Sequence, residues 1–147
     1  LWKDMEDART QMAYGLSVCD ILKISDNEIQ WFSGKEDYTE GIHMLQQTYQ
    51  IPLILLSMGK DGSRAYYKDM LVEVPAFLQK NTIETTGAGD TFGACCLHHI
   101  LKYGLDNLTK QQLKEMLTFA NAAASIITTR KGALRVMPSL EEIQRLL

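Results

Sequence analysis

This chain has no dense basic run and no apolar run long enough to cross a membrane. Its net charge is −3, so a nucleic-acid partner held through phosphate contacts is not expected. The longest apolar run, Ile51 to Met58, is strand-sized. It falls well short of the ~20 residues of a bilayer-crossing helix, and no membrane partner is expected. Cysteine is scarce and odd in number: Cys19, Cys95 and Cys96, without the spacing of a disulfide framework. That pattern points to reduced thiols in a cytoplasmic setting. Cys95-Cys96 lies in an apolar segment, where buried small side chains are a simpler reading than a redox or metal pair. The opening residues Leu-Trp-Lys-Asp-Met-Glu do not read as a signal peptide. Two phosphate-binding motifs are also missing: no Gly-Lys-Ser/Thr follows the glycine-rich stretch, and there is no G-x-G-x-x-G. The composition itself is ordinary, 46% hydrophobic and 22% charged over 147 residues. It suits one domain with a real core.

Hydrophobic periodicity gives alternating helices and strands. Met5, Ala8, Met12 and Leu16 form an apolar stripe, predicting a helix over Lys3 to Val18. Asp20 to Ile24 reads as a short buried strand. Ser25-Asp-Asn-Glu28 has the form of a capping box, starting a short helix that Gly34 ends. Tyr38 to Tyr49 is amphipathic, with Ile42, Leu45 and Tyr49 on one face and His43 on the surface. Pro52 to Met58 is continuously apolar, as in a strand buried on both faces of a parallel sheet. Gly59-Lys-Asp-Gly62 is a turn, and Ser63–Lys68 with Leu71–Pro75 reads as a β-hairpin. Thr109–Gln112 caps a helix running to about Thr128, and Ser139–Glu142 caps a last one. The segment Phe119-Ala-Asn-Ala-Ala-Ala-Ser125 is rich in small residues. It predicts a close neighbour, either another helix or a flat ligand. His98 and His99 share a helix, but adjacent residues point different ways, so they make a poor metal pair. Helix–strand alternation makes the class α/β.

The stretch Glu84-Thr-Thr-Gly-Ala-Gly-Asp90-Thr-Phe92 concentrates the chemistry. Gly87 and Gly89 let successive N–H groups point one way, and a helix starting there adds its free amides and positive dipole end. That makes a cradle for a phosphate-sized anion. Asp90 stands at its rim, where a carboxylate can accept a hydroxyl proton while the amides hold developing charge. The residue types alone fit a plainer reading equally well: a loop followed by a first-turn acid placed for the helix dipole.

The motifs, taken together and in order, resemble the ribokinase-like (PfkB) sugar kinases. E-T-T-G-A-G-D-T-F is similar to the family's D-T-x-G-A-G-D signature, and Ser57-Met-Gly-Lys-Asp-Gly62 to its nucleotide loop. Lys23-Ile-Ser-Asp-Asn-Glu28 occupies the place of N-x-x-E. Phe119-Ala-Asn-Ala-Ala-Ala and Thr129-Arg-Lys-Gly-Ala133 match the C-terminal nucleotide segments. The combination is most similar to bacterial fructokinases.

The resemblance implies the C-terminal half of a three-layer α/β/α fold, with a parallel sheet, helices on both faces and a β-hairpin. Residues 1–147 would be the nucleotide-binding and catalytic part, without the sugar-binding half and lid. It implies ATP-dependent phosphorylation of a sugar hydroxyl, fructose to fructose 6-phosphate. A non-catalytic ATP-binding module, or a kinase for ribose, another ketose or a nucleoside, is the alternative. Asp90 would be the base, and Gly87, Ala88 and Gly89 would supply anion-hole amides. Ser57, Gly59, Lys60 and Gly62 would flank the nucleotide, with Asn121 near the adenine. Ser25 and Glu28 would order the metal–phosphate network, Glu28 holding Mg2+ through water. Glu84, Thr86 and the carbonyls around Gly132 match a potassium site. Glu84 stands where the family has Asp, and Ser25 where Asn is usual. The full-length protein would be a homodimer. The isolated chain is expected to bind nucleotide weakly and not to turn over.

Overall fold

The computed structural model describes residues 2–147. The elements follow in the order α1 Met5–Val18, β1 Ile21–Ser25, α2 Asp26–Ser33, α3 Tyr38–Tyr49 and β2 Leu53–Ser57. A 3-10 turn over Gly59–Asp61 leads to β3 Ser63–Tyr67 and β4 Met70–Val74. After an irregular stretch come α4 Ala88–Tyr103, α5 Lys110–Ile127 and α6 Leu140–Leu146.

Local sequence sets most boundaries. Ser25 and Glu28 form a reciprocal capping box at α2, as do Thr109 and Gln112 at α5 and Ser139 and Glu142 at α6. Each satisfies two N-terminal backbone donors that would otherwise lack partners. Gly34 ends α2 in the left-handed region at φ 69°, which a residue without Cβ adopts at little cost.

The sheet has the order β1-β2-β3-β4. Among the described residues only β1 and β2 run parallel; β2, β3 and β4 form an antiparallel meander. The expected parallel sheet is thus a mixed one. The reason is connection length: the turn after β2 is a few residues, and a parallel crossover needs a dozen or more. β2 is nonetheless buried on both faces. Leu53 and Leu55 pack with Phe92, Ile100, Leu113 and Leu117 of α4 and α5. Ile54 and Leu56 pack with Leu16, Ile29, Ile42 and Leu45 of α1, α2 and α3. Three layers result, with β2 central to both cores. Truncating any of these four to Ala costs about 2–5 kcal/mol.

Candidate active site

A cleft of about 310 Å3 opens where β2 ends, at the carboxyl end of a strand, where open α/β sheets usually place their ligands. One wall is Ser57, Gly59, Lys60 and Gly62, from the end of β2 and the turn after it. The opposite wall is Asn121, Ala124, Ser125 and Thr128 of α5. Phe77, Leu78 and Gln79 come from the segment after β4, and the far end is Thr85, Ala88, Gly89 and Phe92 at the start of α4. The lining is largely apolar with a few polar groups at its ends, the usual make-up of a small-molecule cleft. The turn is built for close approach: Gly62 has φ 99°, and a Cβ there would lie 2.2 Å from the Val74 carbonyl oxygen.

The far end is a bare helix terminus. Gly87 caps α4 at φ 80° without any side-chain hydrogen bond. The Ala88 N–H donates to Thr85 O at 3.1 Å and the Thr91 N–H to Gly87 O at 2.9 Å. The amides of Gly89 and Asp90, in between, have no carbonyl of their own helix to reach. Of the three amides expected to hold an anion, that of Ala88 is therefore engaged inside the chain. A Cβ built on Gly87 would meet Ile127 Cδ1 at 3.1 Å and Ala133 Cβ at 3.2 Å, so this glycine serves packing as well as φ.

A Cβ on Gly89 would meet something different, the Lys23 Nζ at 3.1 Å. Lys23 sits mid-strand in β1, on the face that α4 covers. Its ammonium thus stands beside the positive end of the α4 dipole, an arrangement that an anion between them would relieve. Lys23 has no assigned role in the sequence reading. Its signal is present all the same: a charge inside the apolar run Ile21-Leu-Lys-Ile24. Asp90 is solvent-exposed in the first turn of α4, next to Gly89 at the rim of the cleft.

Other candidates are already engaged. Glu28 Oε2 accepts the Ser25 N–H at 2.7 Å, and Ser25 Oγ accepts the Glu28 N–H at 3.3 Å. Partial burial pushes the Glu28 carboxyl up. The hydrogen bonds from Ser25 and the Lys23 ammonium outweigh it and bring the group below the usual range. Neither residue lines the cleft, and both cap α2. Asn121 is buried, and its Nδ2 donates to Val74 O at 3.2 Å and Pro75 O at 3.0 Å. Its donor group ties α5 to the end of β4, although the residue does line the cleft. Glu84 Oε1 accepts the Gly132 N–H at 2.7 Å, and the Ile83 and Glu84 amides donate to Thr128 O at 2.8 and 3.3 Å. Glu84 thus meets Gly132 through its amide N–H rather than through a carbonyl, with Thr86 exposed two residues further on. Phe77 and Gln79 belong to the cleft and lie outside every motif, while Thr85 and Ser125 lie within the quoted stretches without having been singled out. Gln79 Nε2 donates to Ser125 Oγ at 3.1 Å, which fixes the covering segment to α5.

Cys96 is buried, and Cys19 and Cys95 are half-buried. Burial pushes Cys95 up to about 11 and raises Cys96 further, with the neighbouring Cys95 adding to it. The His99 ring lies against Phe119 with centroids 5.0 Å apart. Among the described residues no group of three His, Cys, Asp or Glu side chains could hold a metal ion, and no helix is long and apolar enough to cross a membrane. One carboxylate together with substrate phosphates and water is a common way to hold magnesium; Glu28, the carboxylate expected there, is held in the α2 capping box outside the cleft lining.

Three layers, a short mixed sheet and a cleft leading to a helix start without a side-chain cap describe an α/β fold, and its solved neighbours make it ribokinase-like. The comparisons agree. The Vibrio cholerae O395 fructokinase, solved in a fructose-, ADP- and calcium-bound form, superposes with a TM-score of 0.88 at 24% identity. The match covers 99% of this chain and 46% of that one. Residues 1–140 match the pfkB family carbohydrate kinases, and the chain belongs to that family. It is 33% identical over 147 residues to Fructokinase-1 of Zea mays and 34% identical over 146 residues to the fructokinase of Klebsiella pneumoniae. All or nearly all of this chain is matched, 100% and 99%, against 45% and 47% of those relatives. The chain spans about half their length.

Proposed function

We propose that this chain is the nucleotide-binding and phosphoryl-transfer half of a sugar kinase that converts fructose to fructose 6-phosphate with ATP. One observation carries the reading: the cleft ends at the uncapped start of α4, where Lys23 and the free amides of Gly89 and Asp90 converge beside an exposed carboxylate. The adenine and ribose lie along the apolar wall between the Gly59–Gly62 turn and α5. The phosphates point toward α4. The Gly89 and Asp90 amides and the Lys23 ammonium hold the charge that develops on the transferred group, the largest single contribution in most such reactions. Asp90 takes the proton from the attacking hydroxyl. A first-turn aspartate is a weak base, which suits a loose transition state in which the proton leaves late. Mg2+, approached by Glu28 through water, would neutralise phosphate charge when bound. Glu84, Thr86 and the carbonyls near Gly132 offer the oxygen donors that a potassium ion takes. Glu84 meanwhile holds the Gly132 amide, keeping this loop against the α4 start. The relative solved with fructose and ADP supports this choice of substrates.

The chain alone holds nucleotide weakly and does not turn over, since a hydroxyl has nothing on this half to hold it near Asp90. The test is Asp90→Asn in the protein carrying both halves. We expect kcat to fall by at least about 100-fold, the usual contribution of a general base, with ADP affinity unchanged. Equal rates for the two proteins would overturn the assignment.

A further inference from the structure

A row of serine hydroxyls crosses the sheet at the carboxyl end of β2. Ser25 of β1 stands beside Ser57 of β2, and Ser57 beside Ser63 of β3, in the strand register. Register partners project to the same side of a sheet. Here that side is the one covered by α4 and α5, because Ala65 and Tyr67, further along β3 at the same alternation, pack with Phe92 and Leu117. Lys23 alternates with Ser25 onto this side as well, and its ammonium reaches Gly89. The row therefore lies next to the phosphate end of the cleft.

Its members differ in what they touch. Ser25 Oγ accepts the Glu28 N–H at 3.3 Å in the α2 capping box. Ser57 is half-buried and lines the cleft. Ser63 is 0% exposed, and its Oγ has no hydrogen-bond partner among the described residues. A buried hydroxyl in that condition is costly, and native structures leave few of them. The sheet narrows its options. Val74, beside it on β4, and Ala65, next on its own side of β3, are apolar. Ser57 is the polar side chain beside it in the register. Cross-strand pairs hold their Cβ atoms about 4.5–5.5 Å apart, a spacing at which serine and threonine hydroxyls bond to one another. A change of one χ1 rotamer brings the two oxygens together.

The direction of that bond follows from the ligand. Ionised phosphate oxygens accept hydrogen bonds, so beside a phosphate Ser57 donates. Its oxygen then remains to accept, and a hydroxyl that gives its proton away becomes the better acceptor. We propose that Ser63 is a positioning residue of the nucleotide site: its hydroxyl donates to Ser57 Oγ and so turns the Ser57 proton toward a phosphate oxygen in the cleft. Ser63 does not touch the nucleotide; it acts through Ser57. The inference rests on the nucleotide reading of the cleft and gives the buried Ser63 hydroxyl the partner that it otherwise lacks.

The probe is ADP with magnesium, titrated into the purified chain as wild type, Ser63→Ala, Ser57→Ala and the double variant. Ser63→Ala should weaken ADP binding about 3- to 10-fold, the loss of one hydrogen bond, and Ser57→Ala at least as much. In the Ser57→Ala background the Ser63 substitution should change affinity less than about 2-fold, because the group it acts through is gone. The melting temperature of Ser63→Ala should equal or exceed that of the wild type, since the substitution removes a buried hydroxyl without a partner. A hydroxyl with a purely structural bond would lower it. Three results would overturn the proposal: ADP affinity unchanged in Ser63→Ala, a lowered melting temperature, or an effect that persists without Ser57, which would give the Ser63 proton to another acceptor such as Asn121 Oδ1. A wild type that fails to bind ADP sinks the nucleotide reading and the positioning role with it. A wild type that binds ADP, matched by Ser63→Ala, sinks the positioning role alone.

Discussion

Gly89→Ala should raise stability and lower anion binding together. Gly89 lies in the first turn of α4 without a positive φ, so its backbone gains nothing from being glycine. Alanine there removes unfolded-state freedom and improves helix propensity, worth about 0.5–1 kcal/mol, with the lower end expected near a terminus. For a domain of this size that is a rise in melting temperature of about 1–4 °C. The new methyl meets only the end of the Lys23 side chain, Nζ at 3.1 Å and Cε at 3.7 Å, a flexible chain that can swing aside. It swings out of the anion cradle, and the methyl occupies the space in front of the free amides. ADP affinity should then fall at least about 10-fold, the loss of one charge-assisted hydrogen bond or ion contact. Gly87→Ala is the opposing control. Its φ of 80° penalises a Cβ by about 1–2 kcal/mol. The Ile127 and Ala133 contacts at 3.1–3.3 Å add overpacking of about 1–3 kcal/mol. Its melting temperature should drop by more than about 4 °C. Calorimetric melts and titration with ADP and magnesium read both effects. A Gly89→Ala protein that melts lower, or that binds ADP as the wild type does, would refute the reasoning.

Glu84→Ala should free the Gly132 amide, cost about 1–2 kcal/mol and speed tryptic cleavage after Arg130 or Lys131; unchanged cleavage would show that this hydrogen bond does not hold the loop. The Glu142 carboxyl is held below its usual range first by the Ser139 amide and then by Arg130. A depressed carboxyl stabilises the fold above its ordinary pKa and loses that contribution as pH falls through its folded value. Wild type should therefore lose more stability between about pH 5 and pH 3 than Glu142→Gln, and superimposable acid limbs in urea melts would contradict it.

What could be read from the sequence was whatever short-range chemistry decides. The capping boxes at Ser25, Thr109 and Ser139 each lie within four residues, and each forms. The apolar run around Leu53–Ser57 is buried on both faces, as its composition requires. Strand direction was not legible from that run, because burial on two faces looks the same for parallel and antiparallel partners. The tight Gly59–Gly62 turn contained the answer, since so short a link cannot cross over. Asn121 shows a second limit. A lone amide among small residues fits a ligand contact or a backbone tie, and its Val74 and Pro75 partners lie more than forty residues away.

Lys23 is the part of the candidate site that patterns do not reach. Alternation puts it on one face of β1, but only the docking of α4 on that face brings its ammonium to Gly89. The cost of that docking is physical. A cation beside a helix N-terminus is disfavoured by a few tenths of a kcal/mol to about 1 kcal/mol when exposed, and by more when partly buried. Glu28 is close enough to Lys23 to offset some of it, although the hydrogen bonds from Ser25 do more to lower that carboxyl than Lys23 does. The rest is relieved by an anion resting on the Gly89 and Asp90 amides. On the proposed reading, Lys23 and these amides hold positive potential in place for a phosphate, the kind of preorganisation a phosphoryl-transfer site requires.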